Sequence, residues 1–245
     1  MGRKTVISKD MILDAAYQLL DEAGIGAVAI KSIAAKLGCS TQPISWHFGS
    51  MTELKKELLF YAGARMWGNF DKYLADMNAL DAFFATGVHY ISMACDHPNV
   101  FRFLSVDDPK QTIGASASAI AENSIFSQQM DEIAVDILAK EYKVPKKKIG
   151  EAVQNTVIYT HGLAVMMMWD DFRMPKETAC QMIFDMGKQL LTDAGIDTRG
   201  MKMKKTILTV GDQDSASSEA GASFATASSD DSDSGAASGK ASKKK

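Results

Sequence analysis

An all-α protein is predicted: a short N-terminal three-helix unit containing a helix-turn-helix, then a longer helical body, about nine helices in all. Two observations predict it. Apolar residues recur at three- and four-residue intervals almost everywhere up to Thr198, and strand-like alternation is nearly absent. Ser, Gly and Pro also fall at the edges of those stretches, where helices start and stop.

The chain has 245 residues, 46% of them hydrophobic and 23% charged, which suits an ordinary globular protein with a real core. Its net charge is −3, so any surface for a polyanion must be local. Cys39, Cys95 and Cys180 are far apart in sequence and lack metal-ligand spacing, so neither a disulfide framework nor a metal site is expected. Gly2-Arg3-Lys4-Thr5 leads into a charged amphipathic segment rather than an apolar run, and no stretch has the roughly 18 apolar residues of a membrane span. A cytoplasmic location with no membrane association is the expectation.

The first helix should open at Ser8, whose hydroxyl can accept from a free first-turn amide. Ile12, Ala16, Leu19, Leu20 and Ala23 form its apolar stripe, and Gly24 ends it in a left-handed conformation. A short second helix covers about Lys31 to Leu37 with Ile33, Ala34 and Leu37 inward; Ala29 and Ile30 offer it no capping side chain. Gly38 breaks the chain. A third helix is expected from Ser40, as cap, to Trp46 or His47, with Pro43 tolerated in its first turn. Ser50-Met51-Thr52-Glu53 matches a capping box at the head of a fourth, with Leu54, Leu58 and Tyr61 inward.

Further on, Pro98, Pro109, Pro145 and Pro175 each precede or begin a helical pattern. Phe84, Val88, Ile91 and Cys95 line one helix, and Phe126, Met130, Ile133 and Ile137 another. Lys148 to Trp169 carries two apolar stripes: Ile149, Val153, Val157, Thr160 and Ala164, and Ala152, Tyr159 and Met166. Such a helix lies between neighbours or reaches a partner subunit. Lys176 to Ala194 is the last long helix, with Ala179, Ile183, Gly187, Leu190 and Ala194 on one face. After Thr198 order should decay. From Gly211 onward 22 of 35 residues are Ser, Ala or Gly, with six acids and four lysines, a composition that cannot offset ordering entropy.

The most informative stretch is residues 30–48. A helix-turn-helix needs a small residue where two helices touch, a glycine at the tight turn, and apolar residues beneath the second helix. Ala34, Gly38, and Ile44 with Phe48 meet those needs in order. Ile12-Leu13-Asp14-Ala15-Ala16, Gly24, Ile33-Ala34, Leu37-Gly38, Ser40, Ile44, His47-Phe48, Ser50 and Glu53-Leu54 together resemble the N-terminal domain of the TetR/AcrR family of bacterial transcriptional regulators. The body resembles that family loosely, in His97-Pro98-Asn99-Val100-Phe101 and His161-Gly162-Leu163.

The resemblance implies a DNA-binding domain over 1–55, a helical ligand-binding and dimerisation domain over 56–198, and a disordered tail over 199–245. It implies that the third helix enters the major groove of a double-stranded DNA operator. Thr41 and Gln42 are then the base-contact candidates, since Gln can pair with the N6 and N7 edge of adenine and Thr can meet a thymine methyl. Ser45, Trp46 and His47 are assigned to the sugar-phosphate chain, as are Lys31, the amide ends of the second and fourth helices, and the Arg3-Lys4 arm. Ser45 and Met51 depart from the family, which commonly has a tyrosine and a lysine there, so the electrostatic share of affinity should be weaker. A homodimer through the last two long helices is implied, with Ala179, Ile183, Gly187 and Leu190 as its interface and a near-palindromic operator as its consequence. A pocket for an unknown small-molecule effector, apolar or aromatic, is implied among Met66, Phe70, Phe103, Phe126, Met130, Tyr159 and Met166.

No cofactor and no metal are expected. His47, His89, His97 and His161 are scattered, and HExxH, GxSxG and P-loop signatures do not occur, so no catalytic residues are assigned. The expected function is a ligand-responsive transcriptional regulator, a repressor released from its operator by the effector. The alternative is a small-molecule-binding protein of the same fold whose DNA recognition is weak or lost.

Overall fold

The computed structural model describes residues 6–68, 70–114, 128–169, 171–204 and 207. Among them there is no strand, and eleven α-helices follow one another, nine of them with seven residues or more. In α1 (Lys9–Ala23) the Ser8 hydroxyl accepts from the Met11 amide at 3.2 Å, and Ile12, Ala16 and Leu20 are fully buried. Gly24 has φ 78° and ψ 174°, an extended left-side conformation rather than the left-handed helical one expected, and only glycine is at ease there. The chain then makes a 3-10 turn over Ile25–Ala27.

The second helix, α2 (Ile30–Leu37), has no side-chain cap. It ends at Gly38, with φ 62° and ψ 33°, where the Cys39 amide donates to Ala34 at 3.0 Å and the Gly38 amide to Ala35 at 3.2 Å. That pair of bonds satisfies the last carbonyls of the helix and turns the chain sharply. In α3 (Gln42–Phe48) the expected Ser40 cap is absent: Thr41 holds the cap position in helical backbone with no side-chain bond. The reason is local. Pro43, second in the helix, has no amide for a capping hydroxyl to receive. The fourth helix, α4 (Met51–Trp67), is capped as expected, with the Ser50 hydroxyl accepting from Glu53 at 3.2 Å.

The body consists of α5 (Phe70–Leu74), α6 (Ala79–Asp96), α7 (Pro98–Ser105), α8 (Pro109–Thr112), α9 (Gln128–Tyr142), α10 (Lys146–Met167) and α11 (Lys176–Ala194). Pro98 and Pro109 are the first residues of α7 and α8, while Pro145 and Pro175 hold the cap positions of α10 and α11. The helices α6, α10 and α11 pack on one another, and α9 lies against α6 and α10. Helix α9 departs from expectation. Its buried residues are Val135 and Leu138, whereas Ile133 and Ile137 are about half exposed at 52% and 49%. Phe126 and the Met130 side chain lie outside the described residues.

The expected decay of order after Thr198 also needs correction for the first few residues. Ile196, Thr198 and Ile207 are buried, the Lys188 ammonium donates to the Met201 carbonyl at 2.9 Å, and Lys204 pairs with the buried Asp81. This segment folds back along α11 toward the start of α6. The tail from Gly211 onward lies outside the described residues.

Buried apolar residues form one continuous cluster through α1–α4 and the body. Besides the continuous α4, α7 holds the N-terminal helices to the body where it meets the end of α1: His97 Nδ1 lies 3.0 Å from Asp21 Oδ1, and the Asn99 amide donates to the Asp21 carbonyl at 2.9 Å. Near the end of α4, Arg65 pairs with Asp14 of α1 at 3.1 Å and lies 4.7 Å over the Tyr17 ring.

Candidate functional site

The helix-turn-helix forms as α2, Gly38 and α3. Ile44 and Phe48 are buried beneath α3, at 0% and 6% exposure, in the same core as Ile12 of α1, Ile33 of α2 and Leu54 of α4, the three helices that α3 packs against. Burying the inner face of a seven-residue helix leaves a definite outer face, and it consists of Thr41, Gln42, Ser45 and Trp46, all exposed. Trp46 is 80% exposed, an unusual position for a large aromatic unless it has a partner. Lys31, second in α2, is exposed on the same part of the chain, and the start of α2 has no side-chain cap competing for its amides.

His47 is placed differently from the expectation. It is half-buried, and its Nε2 lies 3.1 Å from the Ile7 carbonyl. The ring thus ties the end of α3 to the strand of chain entering α1, and through that nitrogen it is committed within the protein rather than turned toward a phosphate. Arg3 and Lys4 lie outside the described residues.

The residues proposed from sequence for an effector pocket do not meet in one place. Phe103 is core at 2% exposure, and Phe70 stacks on His89 with centroids 4.5 Å apart. Tyr159 is half-buried and Met166 is on the surface at 36%. Met66 is buried; its sulfur receives the Tyr17 hydroxyl, and its carbonyl lies 2.7 Å from His89 Nε2. It lines a polar cavity of about 240 Å³ at the joint of α1, α4 and α6, shared with Tyr17, Asp21, Arg65, Ser92 and His97. Burial there pushes the Tyr17 phenol up to about 12, with the Asp21 carboxylate adding and Arg65 opposing.

A larger cavity, about 370 Å³, opens between α6, α9 and α10. Its volume lies in the range of small-molecule sites. Phe83, Phe84, Ile133, Ile137 and Val153 supply apolar wall, and Trp67 of α4 and Ile183 of α11 also line it. Most of its hydroxyls are already used: Thr86 donates to Ala82 at 2.9 Å and Thr156 to Ala152 at 2.8 Å, each along its own helix. One end is polar. The Tyr90 hydroxyl lies 2.8 Å from His161 Nδ1, and Thr160 stands beside them in α10. Burial raises the Tyr90 pKa, with the Ser105 hydroxyl opposing.

The sequence expectation took no residue from α6, which supplies Phe83, Phe84, Thr86 and Tyr90, and in α4 and α10 it fell on neighbours: Trp67 lines the cavity rather than Met66, and Thr160 and His161 rather than Tyr159. The half-exposed Ile133 and Ile137 of α9 are explained by the same cavity, whose wall they form.

Of the interface residues proposed from sequence, Ala179, Ile183 and Gly187 face the interior of their own protomer, with Ala179 and Ile183 at 0% and 2% exposure. The small residue at 187 does admit a close neighbour, but that neighbour is Phe84 of α6: a Cβ on Gly187 would lie 2.8 Å from its ring. Leu190 is half-buried. The exposed apolar residues of these helices are instead Val157, Ile158 and Met166 in α10 and Met186 in α11, with Trp169 just beyond α10. Ile158, Gly162 and Met166 are spaced four apart along one edge of α10, and Gly162 has nothing within 4 Å of its open side.

No described helix is long and apolar enough to cross a membrane, and no cluster of three or more potential metal ligands occurs among the described residues.

Residues 12–58 match the model of bacterial regulatory proteins, tetR family. No curated protein matches the chain. A TetR-like transcriptional regulator from Rhodococcus sp. RHA1 has a similar crystal structure at TM-score 0.58 and 14% identity, covering 78% of this chain and 99% of its own. A second TetR transcriptional regulator from Rhodococcus sp. RHA1 is similar at TM-score 0.48 and 17% identity, covering 75% of this chain and 94% of its own.

Proposed function

We propose that this chain, a TetR-like transcriptional regulator in its N-terminal motif and its fold, is a dimeric repressor that releases a near-palindromic operator when a small apolar molecule binds in its body. The observation that carries the reading is the outer face of α3. Thr41, Gln42, Ser45 and Trp46 are exposed together on a helix whose other face buries Ile44 and Phe48. That is the arrangement a recognition helix needs to enter a major groove. Thr41 and Gln42, at its start, read base edges, while Ser45 and Trp46 meet the backbone of the duplex. Lys31 and the uncapped amides of α2 add phosphate contacts.

The working division is a reading head over 1–55, a sensing and dimerising body over 56–198, and a tail over 199–245. Two copies associate through the edge of α10 and α11 that carries Ile158, Gly162, Met166 and Met186, and this places two recognition helices for successive major grooves. The effector occupies the cavity between α6, α9 and α10. Its occupancy acts on the head by a coupling free energy between two states of the dimer. The route runs through α4, whose last residue, Trp67, lines the cavity, and through the contact of α7 with Asp21.

Ser45 and Met51 stand where the family commonly places phosphate-binding side chains. They favour a second reading, in which the fold binds its ligand but selects DNA weakly or not at all. Selection of bound duplexes from a random pool separates the two: recovery of one palindromic consensus supports the repressor, and a pool that stays random over successive rounds overturns it.

A further inference from the structure

Thr160 is an unusual residue in the wall of the larger cavity. It is 6% exposed, it lines the cavity, and among the described residues its hydroxyl makes no hydrogen bond. The other two threonines of the wall donate to the carbonyl four residues back in their own helices. The hydroxyl oxygen is not sealed from solvent: it opens onto the cavity, and a free donor on an otherwise apolar wall is where an occupant would gain a directed hydrogen bond.

Its neighbour His161 has one ring nitrogen already assigned, 2.8 Å from the Tyr90 hydroxyl. Burial raises the Tyr90 pKa above its ordinary value, so its proton stays in place at neutral pH. If that proton is given to Nδ1, the proton of the imidazole sits on Nε2, and the ring becomes a donor like Thr160. Two adjacent donors at the end of an apolar chamber suit a group that only accepts. Among the described residues the wall of this cavity contains no Lys, Arg, Asp or Glu, so a full negative charge has no counter-ion among them and would be buried at a large cost.

Resting on the assignment of this cavity as the effector site, we propose that the ligand is an uncharged, mostly apolar molecule with a single carbonyl oxygen of the ketone or ester class. The Thr160 hydroxyl and the His161 ring donate to that oxygen, and Phe83, Phe84, Ile133 and Ile137 enclose the apolar part.

Three ten-carbon probes that share a phenyl ring and a short chain test this: butyrophenone, butylbenzene and 4-phenylbutyrate. Binding to the full chain is measured by titration calorimetry and by the fluorescence of Trp67, the tryptophan that lines the cavity. The quantity of interest is the ratio of ketone to hydrocarbon affinity in the wild type against Thr160→Val, because this cancels the difference in the hydration of the probes themselves. Loss of one hydrogen bond should lower that ratio roughly three- to tenfold. Thr160→Ser, which keeps the hydroxyl, should restore it, and 4-phenylbutyrate should bind weakest of the three. An unchanged ratio in Thr160→Val, a carboxylate that binds tightest, or no binding of any probe each overturns the proposal.

DNA selection on the same preparation keeps the two readings apart. A selected palindrome with no ketone binding removes the ligand assignment and leaves the repressor. A ketone-selective cavity in a chain that selects no DNA does the reverse.

Discussion

Replacing Gly187 with alanine tests how α11 is seated on α6. The residue lies within a regular helix, where alanine is favoured over glycine by about 0.8–1 kcal/mol. Against that gain stands a lack of room. The added Cβ would lie 2.8 Å from Phe84 Cε1 and 3.2 Å from Thr156 Cγ2. Phe84 is 3% exposed, with its ring centroid 4.6 Å from that of Phe184, so it cannot swing aside without disturbing the core. Overpacking of this kind costs about 1–3 kcal/mol, which leaves a net loss of about 1 kcal/mol. Gly150, in α10, has nothing within 4 Å of its open side, so Gly150→Ala should keep the helical gain. The two substitutions should therefore move stability in opposite directions. For a chain of this length each kcal/mol is about 2–4 °C in Tm, so the two variants should differ by several degrees. Thermal and urea unfolding at one fixed protomer concentration, so that any association affects both equally, makes the comparison. A Gly187→Ala variant as stabilised as Gly150→Ala would refute the packing of Phe84 over residue 187. By the same reasoning Gly187→Arg should prevent the protomer from folding rather than split a folded dimer.

Four further outcomes are expected. Gln42→Ala should cost about 1–3 kcal/mol of operator affinity at one base position and relax choice there, as read by binding to a set of single-base operator variants; equal weakening on every sequence would count against base readout. Met51→Lys should tighten DNA binding and steepen the logarithmic salt slope by about 2, roughly 0.9 for each copy in the dimer, and an unchanged slope would remove position 51 from the phosphate contacts. Ile158→Asp, at a residue 63% exposed in the protomer, should halve the sedimentation mass while leaving protomer stability within about 0.5 kcal/mol; a dimer that persists would move the interface elsewhere. Tyr17 gives a pH prediction. Burial holds its phenol up to about 12 when folded against 10.0 ordinarily, so the unfolded chain gives up that proton first. Stability from this group is intact below pH 10 and is lost as the pH rises from 10 to 12. Tyr17→Phe should show a shallower fall of the urea midpoint across that window, and an identical fall would place the alkaline sensitivity in other groups.

Much of this protein follows from near-neighbour physics and was legible along the chain. The Ser8 and Ser50 caps, the Gly38 turn and the prolines at helix starts depend on residues two to four apart, so spacing alone determines them. The helix-turn-helix belongs to the same class, because Ala34, Gly38, Ile44 and Phe48 need only one another and a floor. Its outer residues then follow by subtraction. Even there a local conflict was missed, since Pro43 removes the amide that a Ser40 cap would have required.

The tertiary structure alone decided which way the long helices of the body turn. In α10 apolar residues occur on two sides, so periodicity leaves its inward face ambiguous by a residue or two, and that ambiguity separates Tyr159 from Thr160 and His161 in the cavity. In α11 the apolar face was legible, but only packing decided that Gly187 meets Phe84 of its own protomer while Gly162 of α10 is left open. Contacts between residues far apart in sequence were likewise out of reach: His97 with Asp21, Tyr90 with His161, and His47 with Ile7. Each of these histidines stood out in the sequence without a partner, because what an imidazole does is set by the group facing it, and only the packing of helices supplies that group.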